Sequence, residues 1–423
     1  MKRLIESIKR IPWVMRFYYI IFSWRGKLWV VYRLKVLILS FFDFLKVPKQ
    51  EWTRKLIWKQ ILFQRVFRGP EPLARAFTKT LRVCGTYRCN LTCQYCYVRG
   101  LEKKFPEDMT IDNFLKLVLW AKNRGWEAIR FLGGEPTIHP YFSEMLDICY
   151  KNKMYIQMAT NNTFSSQITS KLDRMWVDCI SVNYIFDILN NDQKVIFENN
   201  LKHFSIKRIP FEFSYVIGYQ DNNQLENFLH AERYRPRSIR ASIAIPGLSK
   251  QTSISEVKNN FRAISSKIFE FQKKCIKLGI PFYIYRPIVP CLFSGEEWQR
   301  LKGFFPFMCF TKCPLGLRGD YSSTIVVNPD LSMFPCVAVF NKGPNILSFK
   351  DRREISFFYK EKVKLMLKEP LFDLCKNCEQ HENFLGSLEK GVKSDLKSCS
   401  SKKICQGGCL SFRKNAQSLC CGE

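Results

Sequence analysis

The sequence is short of acids and nearly empty of histidine. Its 423 residues carry 37 Asp and Glu against 67 Lys and Arg, a formal net charge of +30, and only four histidines. None of His139, His203, His230 and His381 stands at ligand spacing to another, which leaves histidine metal motifs out. His139, just past a glycine turn, could face a pocket, although a loop histidine of this kind is more often structural. No uncharged apolar run approaches the ~20 residues a bilayer span needs. Within residues 1–70 the longest uncharged stretches, such as Phe17 to Trp24 and Val36 to Phe42, are short, and Arg16, Arg25, Lys27, Arg33 and Lys35 interrupt the segment. There is no convincing signal peptide, internal repeat or low-complexity domain, so a reducing, cytoplasmic setting is expected and disulfides are not.

Cysteine, by contrast, is plentiful, at 18 residues. Cys89, Cys93 and Cys96 form a C-x3-C-x2-C triplet with Tyr95 just before the third thiol. Three thiolates on one tight loop can hold three irons of a [4Fe–4S] cluster and leave the fourth iron open, whereas an electron-transfer cluster normally takes four thiolates. Zinc sites usually pair one C-x2-C hook with a distant second one, which a compact triplet does not provide. Further on, the apolar run Ala128 to Leu132 ends in Gly133-Gly134-Glu135-Pro136, a strand closing on a glycine turn. Glycines there would let the backbone approach a ligand closely.

Alternating strands and helices surround these motifs. Strands are expected at Thr80 to Thr86, Ala128 to Leu132, Tyr155 to Thr160, Cys179 to Ile185, Phe211 to Ile217 and Ile239 to Ile245. Helical patterns fall between them: one capped by Thr110 and closed near Gly125, others at Ile168 to Trp176, Leu189 to His203 and Ser253 to Leu278. Six strands alternating with helices imply an α/β fold with a parallel sheet.

The triplet and the glycine-glycine-glutamate turn, in that order, resemble the radical S-adenosylmethionine (radical SAM) enzymes. The resemblance implies a partial (β/α)6 barrel with its site at the carboxyl ends of the strands. It implies a [4Fe–4S] cluster on Cys89, Cys93 and Cys96, and S-adenosylmethionine (SAM) bound through its amino and carboxylate groups to the open iron. Gly133, Gly134 and Glu135 would line the methionine part of SAM. Thr160 and Asn162 would form the polar turn after the third strand. Asn162 replaces a glycine there, and Asn tolerates the left-handed conformation. Ser181 and Asn183, on one face of the fourth strand, would contact the ribose or simply hydrogen-bond inside the barrel. One electron, from a carrier such as flavodoxin or ferredoxin, would cleave SAM to a 5′-deoxyadenosyl radical that abstracts hydrogen from substrate.

The remaining cysteines extend the resemblance. Thr324 to Cys336 reads as a hairpin ending in a ligand, Cys375-Lys-Asn-Cys378 is C-x2-C, and Cys405-Gln-Gly-Gly-Cys409 is C-x3-C. Their order is similar to the SPASM extension, which carries two auxiliary [4Fe–4S] clusters. By position Cys309, Cys313, Cys336 and Cys409 would bind one. Cys375, Cys378, Cys405 and Cys420 or Cys421 would bind the other. The family's hairpin has glycine where Leu331 stands, and the Cys378 to Cys405 gap, which contains Cys399, is longer than usual. Zinc between the 375/378 and 405/409 hooks stays open as an alternative. The base aspartate of anaerobic sulfatase-maturing enzymes, which directly follows the cysteine matching Cys336, is here Val337. Cys84, Cys149, Cys179, Cys275 and Cys291 have no motif partner and read as core or incidental thiols.

Three domains are expected: a basic aromatic helical segment over 1–75, the barrel over 76–290 and a SPASM-like domain over 291–423. Residues 1–70 hold 16 Lys and Arg against three acids, interleaved with aromatics. That pattern suits a helical subdomain packed on the barrel, peripheral contact with an anionic membrane, or an acidic peptide, with nucleic acid disfavoured. A peptide or protein substrate is the leading expectation, because it is the commonest class for SPASM-type enzymes. A lipid or membrane-bound substrate is one alternative, and a catalytically inactive zinc-stabilised binding protein is another.

Overall fold

The computed structural model describes residues 79–93, 95, 96, 98–217, 228–243, 261–280, 282–285, 315, 321–337 and 343–368. The chain divides into two compact units, and the sheet and side chains discussed below belong to the larger, Thr78–Cys275 with Phe282–Glu423. Residues 1–70, and Cys291, Cys309, Cys313, Cys375, Cys378, Cys399, Cys405, Cys409, Cys420 and Cys421, lie outside the described residues. Among the described residues no helix is long and apolar enough to cross a membrane.

Among the described residues nine strands form one sheet in the order β7-β6-β5-β4-β3-β2-β1-β8-β9. They are β1 Thr80–Thr86, β2 Ala128–Gly133, β3 Tyr155–Thr160, β4 Val177–Asn183, β5 Phe211–Ile217, β6 Ile239–Ile243, β7 Phe282–Ile284, β8 Val326–Val327 and β9 Met333–Phe334. Neighbours from β7 through β1 to β8 pair parallel, and only β8 and β9 pair antiparallel. The helices are α1 Leu101–Lys104, α2 Ile111–Asn123, α3 Phe142–Lys151, α4 Ser166–Lys171, α5 Asn191–Lys207, α6 Leu229–Tyr234, α7 Phe261–Leu278 and α8 Arg352–Lys368. Helices placed between parallel strands make the α/β architecture that the strand pattern implies, in keeping with the partial barrel that the family resemblance implies.

Punctuating residues set several boundaries. Thr110 caps α2 by accepting from Asn113 N at 3.2 Å, and Gly125 just beyond its end has φ +73°. Asn190 and Gln193 form a capping box, so α5 starts at Asn191 rather than Leu189, and it runs on to Lys207 before Arg208 turns left-handed. α4 is shorter than the apolar pattern from Ile168 to Trp176 suggests. Leu172 is extended, and Trp176 donates to Asp173 O in the turn that launches β4. β4 accordingly begins at Val177, two residues before the expected start, and ends at Asn183. α3, α8 and the three-residue β7 add elements that the periodicity alone does not flag.

The helix-side core identifies the two faces of the sheet. Phe131 of β2 contacts Phe114 of α2 and Phe142 of α3, with ring centroids 5.7 and 5.1 Å apart. Further along, Tyr184, Phe213 and Tyr215 gather against Phe197 of α5, and Phe271 of α7 contacts Tyr215. Side chains alternate along strands, so the intervening Arg130, Ser181 and Glu212 point to the opposite, inner face. Cys84, Cys149, Cys179 and Cys275 are buried, in keeping with core thiols.

Candidate active site at the carboxyl ends of the first three strands

The triplet follows β1 directly. Tyr87 is buried and its hydroxyl donates to Asn328 Oδ1 at 2.6 Å, while the Arg88 guanidinium pairs with Asp108. Cys96 N donates to Cys93 O at 3.1 Å, and Arg99 Nη2 donates to the carbonyls of Thr92 and Cys93 at 2.6 and 3.1 Å. Val98 and Leu101 then bury themselves in an apolar cluster with Cys84, Tyr87, Leu132, Val326 and Phe334, against which Cys96 packs. A loop with several backbone groups tied by side chains is held to one shape more firmly than a free one.

The glycine turn braces the entry to this loop. Gly133 has φ +116°, and a β-carbon there would lie 2.2 Å from Thr86 O. A β-carbon on Gly134 would lie 2.0 Å from Arg88 O. Gly134 N donates to Thr86 O at 3.0 Å and Glu135 N to Arg88 O at 2.9 Å. The two glycines therefore let this turn lie against the protein's own backbone, a more specific role than the ligand approach expected from sequence.

Glu135 is 2% exposed and spends its carboxylate on the next strand. It accepts from Thr137 Oγ1 at 2.6 Å, Thr160 Oγ1 at 2.8 Å and Asn161 N at 2.7 Å. Burial raises its pKa, and these donors work in the opposite direction. Asn161 Nδ2 in turn donates to Asn90 Oδ1 at 2.7 Å, and Asn90 Nδ2 to Thr163 Oγ1 at 2.9 Å. The ends of β1, β2 and β3 thus close around the cysteine loop. Asn162 has φ +64°, the left-handed turn its type allows. Its amide, however, donates to Phe197 O of α5 at 2.9 Å, away from the loop.

Other candidates fall into place around this corner. His139 uses both ring nitrogens on backbone: Nε2 donates to Met109 O at 2.9 Å and Nδ1 accepts from Tyr141 N at 3.1 Å. Burial lowers its pKa, so it is a neutral structural histidine. Ser181 donates to Glu212 Oε1 at 2.5 Å and accepts from Arg130 Nη2 at 3.3 Å, deeper in the sheet. Asn183, on the same face, is half-buried at the end of β4.

The surroundings of the three thiols combine burial, which raises their pKa, with hydrogen bonds to sulfur, which oppose it. Cys89 is exposed, yet the protein crowded around its sulfur pushes the thiol up to about 11, with Glu135, Cys93 and Cys96 adding to the rise and the N–H of Leu91 opposing it. Burial likewise raises Cys93, with Cys96 adding to it and the Tyr95 hydroxyl opposing it. Burial also raises Cys96, whose sulfur meets the N–H groups of Val98 and Arg99 and the Arg99 charge. Hydrogen bonds to sulfur tune iron–sulfur clusters. Among the described residues no three His, Cys, Asp or Glu side chains converge to hold a single metal ion. A four-iron cluster instead spreads its ligands over separate corners of a cube. Three thiols on one loop, with Cys93 and Cys96 close enough to raise the pKa of Cys89 and with N–H donors to the sulfurs of Cys89 and Cys96, fit that group.

The hairpin that leads to Cys336 lies beside β1. β8 pairs with Arg82 and Val83, and Leu331 sits in the turn with φ +65°. A left-handed leucine costs about 1–2 kcal/mol, which accounts physically for the glycine usual at that place. Val337, next after Cys336, packs on the same apolar cluster as Cys96.

Residues 83–211 match the model of the radical SAM superfamily. That match places the segment over residues 83–211 in the radical SAM superfamily. The chain is 32% identical over 114 residues to a tungsten-containing aldehyde ferredoxin oxidoreductase cofactor-modifying protein of Pyrococcus furiosus, covering 26% of this chain and 31% of that protein. It is 29% identical over 176 residues to a GTP 3′,8-cyclase of Clostridium botulinum, covering 38% of this chain and 54% of that protein. The chain spans about half or less of the length of the curated relatives it matches. Among solved structures, native anSMEcpe with bound AdoMet aligns with a TM-score of 0.52 at 16% identity, over 78% of this chain and 88% of that one. That likeness concerns the fold.

Sequence reasoning did not find Asn90, Asn161 and Thr163 as braces, nor the inner-face residues Arg130, Glu212 and Arg240. Their signal is there: a charge inside an otherwise apolar strand, as in Ala128-Ile-Arg130-Phe-Leu and Phe211-Glu212-Phe.

Proposed function

We propose that this chain is a SPASM-like radical SAM enzyme acting on a peptide or protein side chain. The observation that carries the catalytic part is the brace at the loop entry, where Gly134 lies against Arg88 O and Glu135 N–H bonds to it. Cys89, Cys93 and Cys96 would hold three irons of a [4Fe–4S] cluster. When bound, the cluster and SAM supply one-electron cleavage of a sulfonium and a 5′-deoxyadenosyl radical that removes hydrogen from an inert carbon.

The chain's own residues bind, orient and shield. Gly133, Gly134 and Glu135 fix the turn we assign to the methionine end of SAM. Thr160 and Asn162 shape the turn after β3, and Asn183 is the β4 residue we assign to the ribose, with Ser181 engaged below it. The apolar cluster of Tyr87, Val98, Leu101, Leu132, Val326 and Phe334 backs the loop on one side, which limits water there.

The C-terminal half of the reading rests on cysteine order and on the β8–β9 hairpin, which forms where the sequence places it and leads to Cys336. We assign Cys309, Cys313, Cys336 and Cys409 to one auxiliary cluster. Cys375, Cys378, Cys405 and Cys420 are assigned to a second. The peptide substrate follows from that SPASM-like order, and flavodoxin or ferredoxin is the electron donor we expect. Val337 disfavours a sulfatase-maturing role.

Anaerobic reconstitution of the full chain tests this, with iron counted per chain and 5′-deoxyadenosine measured with SAM and a reductant. About twelve irons, falling by about four in the Cys89→Ala, Cys93→Ala, Cys96→Ala variant with loss of 5′-deoxyadenosine, is the expected result for three four-iron units. About four irons with zinc would retain the catalytic cluster and remove the auxiliary ones. No iron and no cleavage in folded protein would remove the proposal.

A further inference from the structure

The inner face of the sheet carries a buried charge cluster that the cysteine site does not use. Glu212 of β5 is 0% exposed and receives hydrogen bonds from Ser181 at 2.5 Å, Tyr283 at 2.6 Å and Ser238 at 3.2 Å, with Arg240 Nε 3.7 Å from its carboxylate. Arg130 of β2 is 8% exposed and Arg240 of β6 is 7% exposed. The Arg130 guanidinium has only long bonds, 3.4 Å to Gln157 Oε1 and 3.3 Å to Ser181 Oγ, and its buried Nε has no hydrogen-bond partner. The groups that act on Arg130 electrostatically are Tyr285, Arg240, Glu212 and Arg82. Gln157 turns its amide to Asp178 at 2.7 Å, so that carboxylate is engaged one residue away.

Two buried cations, Arg130 and Arg240, around one carboxylate are costly unless further negative charge joins them. An unsatisfied buried polar atom in a native protein calls for a missing water or ion. Desolvation lowers the Arg130 pKa, with Arg240 and Arg82 adding to the effect and Tyr285 and Glu212 opposing it. Around the cluster Arg82, Tyr283 and Tyr285 are only half-buried, and the Arg240 guanidinium lies 4.5 Å from the Tyr285 ring centroid.

We propose that this cluster is an oxyanion site, and that the substrate presents a carboxylate or phosphate to Arg130 and Arg240 on the inner face of the sheet. A planar guanidinium binds either group through paired, charge-assisted hydrogen bonds. The inference rests on the radical SAM reading, because it takes the inner face as the place where substrate is held. It narrows the peptide substrate to one with an acidic or phosphorylated residue near the reacting carbon.

The test is calorimetric titration of reconstituted full-length protein with inorganic phosphate and, separately, with glutarate, each without and with SAM. One saturable site per chain is expected for at least one probe, and the probe that binds separates phosphate from carboxylate. Arg130→Gln is expected to weaken that site about tenfold or more, the worth of a hydrogen bond to a charged group, and Arg130→Lys to retain part of it. Arg240→Gln, read in the same way, decides the matter if Arg130→Gln does not fold. Absence of a saturable site for both probes overturns the inference. So does a site that both Gln variants leave unchanged, which would put the anion on the basic exterior. Loss of the site once SAM is added would hand the arginines to SAM and overturn the substrate assignment. SAM cleavage is measured on the same sample, so failure of the anion site with cleavage intact leaves the radical SAM reading standing.

Discussion

Glu135 and Glu212 are both buried carboxylates of one sheet, yet their surroundings differ in kind. Glu135, just past β2, is held by neutral donors, two hydroxyls and the backbone N–H groups of Thr137 and Asn161. Glu212, near the start of β5, has three hydroxyl donors and buried arginines. The first fixes backbone, and through it the place of the cysteine loop. The second joins strands through side chains and leaves Arg130 with slack. A braced corner suits a cofactor that must sit in one place, while a charged cluster with spare donors suits a ligand that comes and goes.

The largest effect that can break this comparison is Glu212→Gln. Removing one partner of a buried ion cluster typically costs about 3–5 kcal/mol. Denaturant unfolding should show that loss, while iron bound at the cysteine loop stays unchanged in whatever fraction folds. Equal loss of iron would mean that the two regions are one. Gly134→Ala comes next. Its new methyl group meets the Arg88 carbonyl, so the turn must shift, at a cost of about 1–3 kcal/mol for overpacking, and iron retention should fall by more than stability does. Normal iron content in that variant would remove the brace from the account.

Glu135→Gln sharpens the contrast. An amide N–H₂ turned toward N–H and O–H donors loses about 1–3 kcal/mol, less than Glu212→Gln, but the loosened β2–β3 corner should also lower SAM cleavage. A stability loss larger than that of Glu212→Gln would reverse the comparison. Thr110→Ala is the smallest change. It removes the cap of α2 for about 1 kcal/mol, visible in the melting temperature, and leaves both iron binding and anion binding as they were.

Much of this fold was legible because local signals agree with it. β1, β3 and β5 run between the residues that their apolar patterns and flanking turns mark, and Thr110 and Gly125 frame α2 as punctuation. Asn162 adopts the left-handed turn its side chain permits. The boundaries of α4 and β4 were less legible, because Trp176 and Val177 continue a helical spacing while belonging to a turn and a strand. The site divides in the same way. Its cysteines and glycines are contiguous motifs, so sequence displays them. The reason for the glycines, the backbone carbonyls of Thr86 and Arg88 far upstream, is a tertiary fact. The inner-face cluster draws single residues from successive strands, each unremarkable alone. Ser181 was read as a ribose contact or an internal hydrogen-bonding residue, and its partners are Glu212 and Arg130.

The central claim is that Cys89, Cys93 and Cys96 carry a cluster with one iron open to SAM. Electron paramagnetic resonance of the reduced, reconstituted full-length protein, recorded with and without SAM, tests it most directly. The account predicts a [4Fe–4S] signal that changes on adding SAM and is missing from the variant with all three cysteines replaced by alanine. A spectrum in which no component responds to SAM, or a SAM-responsive component that persists in the triple variant, would contradict it.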